Sequence, residues 1–502
     1  MGKEASKQTL NTLRNNAKDL FCQLESVLPA MVELNVRLSQ SEESNDKESI
    51  CSFVSGVENL LLGSYFILHE LLASLKLTLD SNSLYEKRYH LQCINECACE
   101  AYEYFIGRKN NGVWTNLNTV VKNLRNPILK VYADNIETEL RNLGEHYCNI
   151  ELRNCTAHYD KPEVIYEKQA TIIEEDSFCK IVSQCMLIHM LISHFSDIAF
   201  AVLFQVLPKT DKMEKSNMLM KQTKDFKAII ESKLAEKFAS DNSIQNLSEK
   251  SLEVVTKLID SLYQNHKRYG MIYSFCKERN IDLPICVDVM HQLCLIRMMV
   301  SYMRCDIVCA MRAYINSETC LERAMHLRKI YLTEVSALKH LYGYNERSRS
   351  NSLWTKLMAI NCEYDNGEAQ IIGEELDAYE SHLDNTKRNL YSHFRENKQL
   401  NITNRYEAYK QLNQISEINE ALKLMGLCKS IEEYTTIVLE RVKNSENKKH
   451  QKQMKKCRIM FDQMRNMIVL SDTPKKRHAE LIAMINNTEE KLMSVYDINN
   501  NE

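Results

Sequence analysis

The chain has 502 residues, 44% of them hydrophobic, with a formal net charge of −3 and a mean hydropathy of −0.39. That length is enough for two or more domains with buried cores, and the small net charge counts against a protein that wraps long RNA while permitting one that cuts RNA at a local site. Only 11 Gly and 6 Pro leave little turn chemistry, so the expected fold class is all-α.

Residues 7–40 carry helical apolar spacing, and Ser41–Lys47 reads as an acidic, serine-rich loop. Helices are expected over 50–79 and 84–106, then a break from Gly107 to Gly112, then a helix or pair of helices from about 115 to 158. Pro162 opposes continuation. Residues 177–207 are long and apolar enough for a membrane span, but His189, His194 and Asp197 interrupt them, so a central core or dimer helix is preferred. A linker is expected at 208–217. Helices follow near 218–238, 248–278, 287–316, 320–342, 352–362, 367–394 and 404–443. A charged helical extension, 444–502, closes the chain, with Ser471-Asp472-Thr473-Pro474 as a helix start. The expected organisation is a first half, 1–207, a second half, 218–443, and this extension.

Of 18 cysteines, Cys93, Cys97 and Cys99, and again Cys305 and Cys309, lack the paired spacing of a zinc site. Buried free thiols in a reducing cytoplasm are expected, and the polar, charged Met1–Leu20 suggests no signal peptide. With no P-loop, no H-E-x-x-H and no acidic cluster, no metal and no cofactor is expected.

Landmarks recur along the chain. Glu86 and His90 form E-x-x-x-H followed by Leu91, and Glu322 and His326 repeat it before Leu327, at 322 − 86 = 236. Ala101 and Gly107 fall on Ala337 and Gly343 at the same shift, whereas Asn82 has no match. Trp114 and Trp354 each open W-T-x-L, at 354 − 114 = 240. Such ordered landmarks indicate a duplicated unit of domain size. The Glu/His pairs read as structural supports on a helix face, and the tryptophans as bundle anchors.

The repeat that carries chemistry is R-N-x-x-x-H. It occurs as Arg153, Asn154 and His158, and again as Arg388, Asn389 and His393, at 388 − 153 = 235. A guanidinium fork suits a phosphate, and an imidazole exchanges a proton near neutrality. RNA supplies its own 2′-OH nucleophile, so this pair can cut a phosphodiester without metal, leaving a 2′,3′-cyclic phosphate and a 5′-OH. Asn154 and Asn389 would orient the neighbouring Arg or His, or contact the phosphate. At about 100° per residue, residues i and i+5 of a straight helix lie roughly 140° apart, which favours one site shared by both motifs. A further copy, Arg141 to His146, requires a shift of 388 − 141 = 247 and is set aside. His146 does fall opposite His382 at 382 − 146 = 236, which makes these two histidines candidates for the same pocket. Lys448, Lys449, Lys452, Lys455, Lys456, Arg458, Lys475, Lys476 and Arg477 read as a solvated helix face, or as an RNA-guiding patch.

Two R-N-x-x-x-H motifs within helical sequence resemble the HEPN superfamily over about 70–205 and about 300–440. The resemblance implies paired helical bundles with the two motifs at their interface. It also implies metal-independent endoribonuclease activity, with a defence or toxin role, kept inactive until triggered. A fused pair of this kind is similar in layout to the type VI CRISPR effectors. It further implies an RNA substrate, with an inhibitor protein or a guide or regulatory RNA as a possible partner; self-association is left open. Two alternatives stand beside it: a HEPN-like scaffold that binds without cutting, and a compact RNA-guided type VI-like ribonuclease, against which the net charge of −3 and the modest length count.

Overall fold

The computed structural model describes residues 48–81, 83–107, 112–123, 126–158, 161–172, 249–317, 320–343, 349–361, 363–383, 414–469 and 475–498, with scattered positions between 184 and 198 and between 391 and 400. The helices expected at 7–40 and 218–238 and the linker at 208–217 lie outside the described residues.

The fold is all-α. Helices α1 (Glu48–Asp80) and α2 (Leu84–Ile106) are followed by α3 (Val113–Asn123) and α4 (Pro127–Asn142). Asn126 caps α4, its Oδ1 accepting from the amides of Ile128 (3.0 Å) and Leu129 (3.4 Å), with Pro127 in the first turn. A π turn, Leu143–Tyr147, then leads to α5 (Ile150–His158), so the stretch expected as one or two helices is three helices and a π turn. Pro162 opens α6 (Pro162–Ile172). Beyond it lie α7 (Glu249–Glu278), α8 (Ile285–Ile315), α9 (Cys320–Leu341), α10 (Leu353–Ile360) and α11 (Glu368–Glu380).

The helix expected over 367–394 ends earlier, at Glu380, and Arg395-Glu396 pairs antiparallel with Gln399-Leu400. No helix end falls at the boundary expected at 443/444. One 56-residue helix, α12 (Gln414–Val469), runs through it, although the second core's last contact on this helix is Val442, and is followed by α13 (Lys475–Ile498).

The repeated landmarks mark repeated elements. Shifting α1 and α2 by 236 gives 284–316 and 320–342, against the observed 285–315 and 320–341. Shifting α3 and α4 by 240 gives 353–363 and 367–382, against 353–360 and 368–380. Gly107 and Gly343 both end their helices with positive φ, 76° and 92°, a conformation that costs glycine nothing.

Two apolar cores result. The first is built mainly from α1–α5, the second mainly from α7–α12. Helix α2 lines both, giving Leu91, Ile94 and Ala98 to the first and Tyr85, Tyr89 and Cys93 to the second. Helix α9 mirrors it, with Met325, Tyr331 and Val335 in the first core and Leu327, Ile330 and Leu338 in the second. Trp114 packs on Phe195 and Trp354 on Tyr434, one tryptophan per core. Of the stretch 177–207, the described Ile188, Leu191, Phe195 and Ile198 are buried in the first core. No helix among the described residues is long and apolar enough to cross a membrane. The described cysteines are free, and burial pushes the Cys93 and Cys428 thiols up to about 12, as inert core groups.

Candidate active site

Helix α5, which carries the first motif, is fixed along α2. Asn149 caps it, accepting from the Leu152 amide at 2.9 Å. Asn95 of α2 clasps the Asn149 backbone from both sides, donating to its carbonyl (2.9 Å) and accepting from its amide (3.1 Å). The next residue of α2, Glu96, accepts from the Thr156 hydroxyl at 3.0 Å, and Glu100, one turn on, pairs with Arg153.

Arg153 is 7% exposed. Its Nη2 donates to Glu100 and its Nη1 to the Asn154 side-chain oxygen at 3.0 Å. Burial works against its charge, but Glu100, with Glu103 and Glu96 behind it, holds the guanidinium above its ordinary range. A phosphate arriving here meets an arginine that already has a carboxylate. His158 is the last residue of α5.

In the second motif, Arg388, Asn389 and His393 lie outside the described residues, but Tyr391 between them is described and buried. Its ring stands edge-on to Tyr331, and its carbonyl accepts from Arg328 Nη1 at 3.1 Å. Arg328 also binds Glu70 of α1 at 2.8 Å. Its chain neighbour Lys329 binds Glu96 at 2.9 Å, the same carboxylate that holds Thr156. Thr156 and Tyr391 occupy the same place in their motifs, since 391 − 156 = 235. Two successive basic residues of α9 thus reach one motif each.

Beside them, the E-x-x-x-H repeats meet across the two cores. Lys76 of α1 binds Glu322 of α9 at 3.3 Å, and Glu86 of α2 binds Arg312 of α8 at 3.0 Å. Because 312 − 76 and 322 − 86 are both 236, these are one contact made twice with the partners exchanged. His90 and His326 lie in the same layer, 2% and 3% exposed, and among the described residues neither Nε2 has a hydrogen-bond partner. Burial, then the charges of Arg312 and Lys329, push His90 down to about 3. His326 is held well below its ordinary value by burial first, and then by His90, His69, Lys76 and Lys329. Both rings are neutral structural groups near neutral pH.

No family model, no curated protein and no solved structure matches the chain.

The set-aside copy has a different setting. Arg141 and His146 are both exposed, at the end of α4 and in the π turn. That turn is closed by the Cys148 amide donating to the Leu143 carbonyl at 2.9 Å, a bond across five residues. A π turn is wider than an α turn, so residues five apart come closer to one face than on a straight helix. Gly144 fits here because a Cβ would run into the Tyr102 ring. His382 is exposed in the turn after α11, and among the described residues no hydrogen bond or ring contact joins it to His146.

Lys448, Lys449, Lys452, Lys455, Lys456 and Arg458 are exposed on α12, as is Arg477 on α13. Lys475 and Lys476 open α13. Sequence reasoning missed Glu96, Glu100, Arg328 and Lys329. The signal for the first two was the i, i+4 spacing on α2, and for the others their place directly after Leu327, which closes the repeated motif.

Proposed function

We propose that this chain is a metal-independent endoribonuclease with a composite site drawn from both halves, which close as a pseudo-dimer of HEPN-like bundles. The observation that supports it most is the Arg328-Lys329 pair, bound to the Tyr391 carbonyl of one motif and, through Glu96, to Thr156 of the other. The exchanged ion pairs Lys76 with Glu322 and Arg312 with Glu86 support the two-fold arrangement.

In this reading Arg153 and Arg388 hold the scissile phosphate. One of His158 and His393 takes the proton from the 2′-OH as O2′ bonds to phosphorus. The other gives a proton to O5′ as the P–O5′ bond breaks. The products are a 2′,3′-cyclic phosphate and a 5′-OH. The clasp of Glu100 on Arg153 belongs to a resting state, and substrate must displace or share it. A defence or toxin role in the cytoplasm fits an enzyme kept latent in this way.

The test is incubation with end-labelled total RNA in EDTA, beside Arg153→Ala, His158→Ala, Arg388→Ala and His393→Ala. Parent cleavage with cyclic-phosphate ends, lost in every variant, is expected. Undiminished cleavage after changes in either half would refute the composite site. The burial of Arg153 against Glu100 favours a second reading, a non-catalytic helical scaffold. It predicts no cleavage by any form and RNA or protein binding indifferent to His158.

A further inference from the structure

Helix α12 has two parts. From Glu417 to Val442 it packs into the second core through residues such as Leu424, Ile431 and Val438. From Lys443 to Val469 it leaves that core and pairs with α13, where Arg465 binds Asn486 (2.8 Å) and Glu489 (2.6 Å). At about 1.5 Å per residue the whole helix is about 84 Å long, so the second part is a rigid arm. The arm carries eight Lys and Arg against two acidic residues, Glu446 and Asp462, in a chain whose net charge is −3. Charges more than about 8 Å apart in solvent are screened at physiological salt, so a partner at the arm senses this local excess and not the whole-chain value.

The lysines are arranged as well as concentrated. At about 100° per residue, Lys448, Lys449, Lys452, Lys455 and Lys456 fall within an arc of roughly 120°. The face towards α13, with half-buried Cys457, buried Phe461 and Arg465, lies roughly opposite. All five lysines are exposed, and among the described residues only Lys449 has a carboxylate partner, Glu446 at 3.0 Å. The stripe extends along about 12 Å of axis, room for three or four phosphates at roughly 3.4 Å per residue of a strand. Phe461 is turned inward, so among the described side chains the stripe has no exposed aromatic ring on which bases would stack, and none of the bulky aromatic wedges that seat an interfacial helix in lipid.

We infer that this lysine stripe on the α12 arm is a sequence-independent docking surface for the phosphate backbone of RNA. The choice of RNA among polyanions rests on the ribonuclease reading above; the binding does not require cleavage. The inner part of α12 packs on α9, the helix of Arg328 and Lys329, so the arm would hold RNA on an element continuous with the proposed site.

The experiment is fluorescence anisotropy of the full chain with a labelled 2′-O-methyl RNA, which cannot be cleaved through its 2′ position. It compares the parent with a variant in which the five lysines become Gln and another in which they become Arg. Three or four phosphate contacts predict that parent affinity falls roughly 20- to 50-fold between 50 mM and 200 mM salt. The Gln variant should bind roughly tenfold more weakly at 50 mM and lose most of that salt dependence, and the Arg variant should retain both. Unchanged helical circular dichroism and melting temperature are expected for both variants. Equal binding and salt slope in parent and Gln variant would overturn the inference, as would a parent that does not bind. Loss of binding to phosphatidylserine vesicles in the Gln variant, with RNA binding unaltered, would assign the stripe to a membrane instead. Stripe-dependent binding without cleavage of natural RNA would sustain the inference while removing the nuclease reading.

Discussion

Arg153 sits at 7% exposure with Glu100 as its counter-charge, which gives its replacement two consequences. Arg153→Ala strands a mostly buried carboxylate, a change that typically costs about 3–5 kcal/mol, so loss of activity in that variant alone would mix folding with chemistry. The paired change Arg153→Gln with Glu100→Gln leaves two neutral amides able to bond to each other. Its urea midpoint is expected much nearer the parent than that of Arg153→Ala, while cleavage stays absent. A double variant that cuts RNA at the parental rate would remove Arg153 from the chemistry. Arg141 and His146 provide the control, because both are exposed. Arg141→Ala with His146→Ala is expected to shift stability by no more than about 0.5 kcal/mol per site and to leave cleavage intact. Loss of cleavage there would transfer the first-half site to the π turn.

Among elements, α1, α2, α8 and α9 form the seam, and its ion pairs are the point to probe. Lys76→Met leaves buried Glu322 without its lysine and should lower stability by about 3 kcal/mol. Exchanging the two, Lys76→Glu with Glu322→Lys, should recover most of that loss in thermal unfolding; no recovery would mean that the pair does not act as a pair. The bounds of α2 were legible in sequence to the residue, because Gly107 ends it and the apolar spacing is regular. The π turn was not, since nothing local distinguishes Leu143–Tyr147 from one more helical turn until the Tyr102 ring packs against Gly144. Helix α12 ran through an expected boundary because the change from apolar to basic residues marks where the helix leaves the core, and a helix needs no core to continue through good helix formers.

For the whole molecule, α2 and α9 each line both cores, so the two should unfold together in one cooperative transition. The pH dependence follows from the seam histidines. His90 has a folded pKa pushed down to about 3, and His326 also lies well below its ordinary value. In the unfolded chain both rings take a proton below about 6.5, and in the folded chain they resist it. Stability is therefore unaffected by them above about pH 6.5 and declines as pH falls from there towards about 3. Urea midpoints measured at pH 7, 6 and 5 should fall in that order, and more gently in a His90→Phe variant. A flat profile in the parent would mean that these rings are not buried in the folded state.

The sequence by itself determined the all-α class, the bounds of α1, α2 and α7–α10 to within two residues, and the register of the repeated landmarks, because apolar period, glycine stops and identical residues are local properties. It also supplied Glu86 and Glu322 as a matched pair. It did not supply their partners. Lys76 and Arg312 match in charge and in register but not in identity, and no residue-by-residue comparison of the halves finds them. Only the tertiary structure decided that Arg153 is clasped by Glu100, 53 residues away, and that Arg328 and Lys329 reach a different motif each. A side chain far along the chain becomes a neighbour only when packing brings its helix alongside, and that is a property of the two cores together.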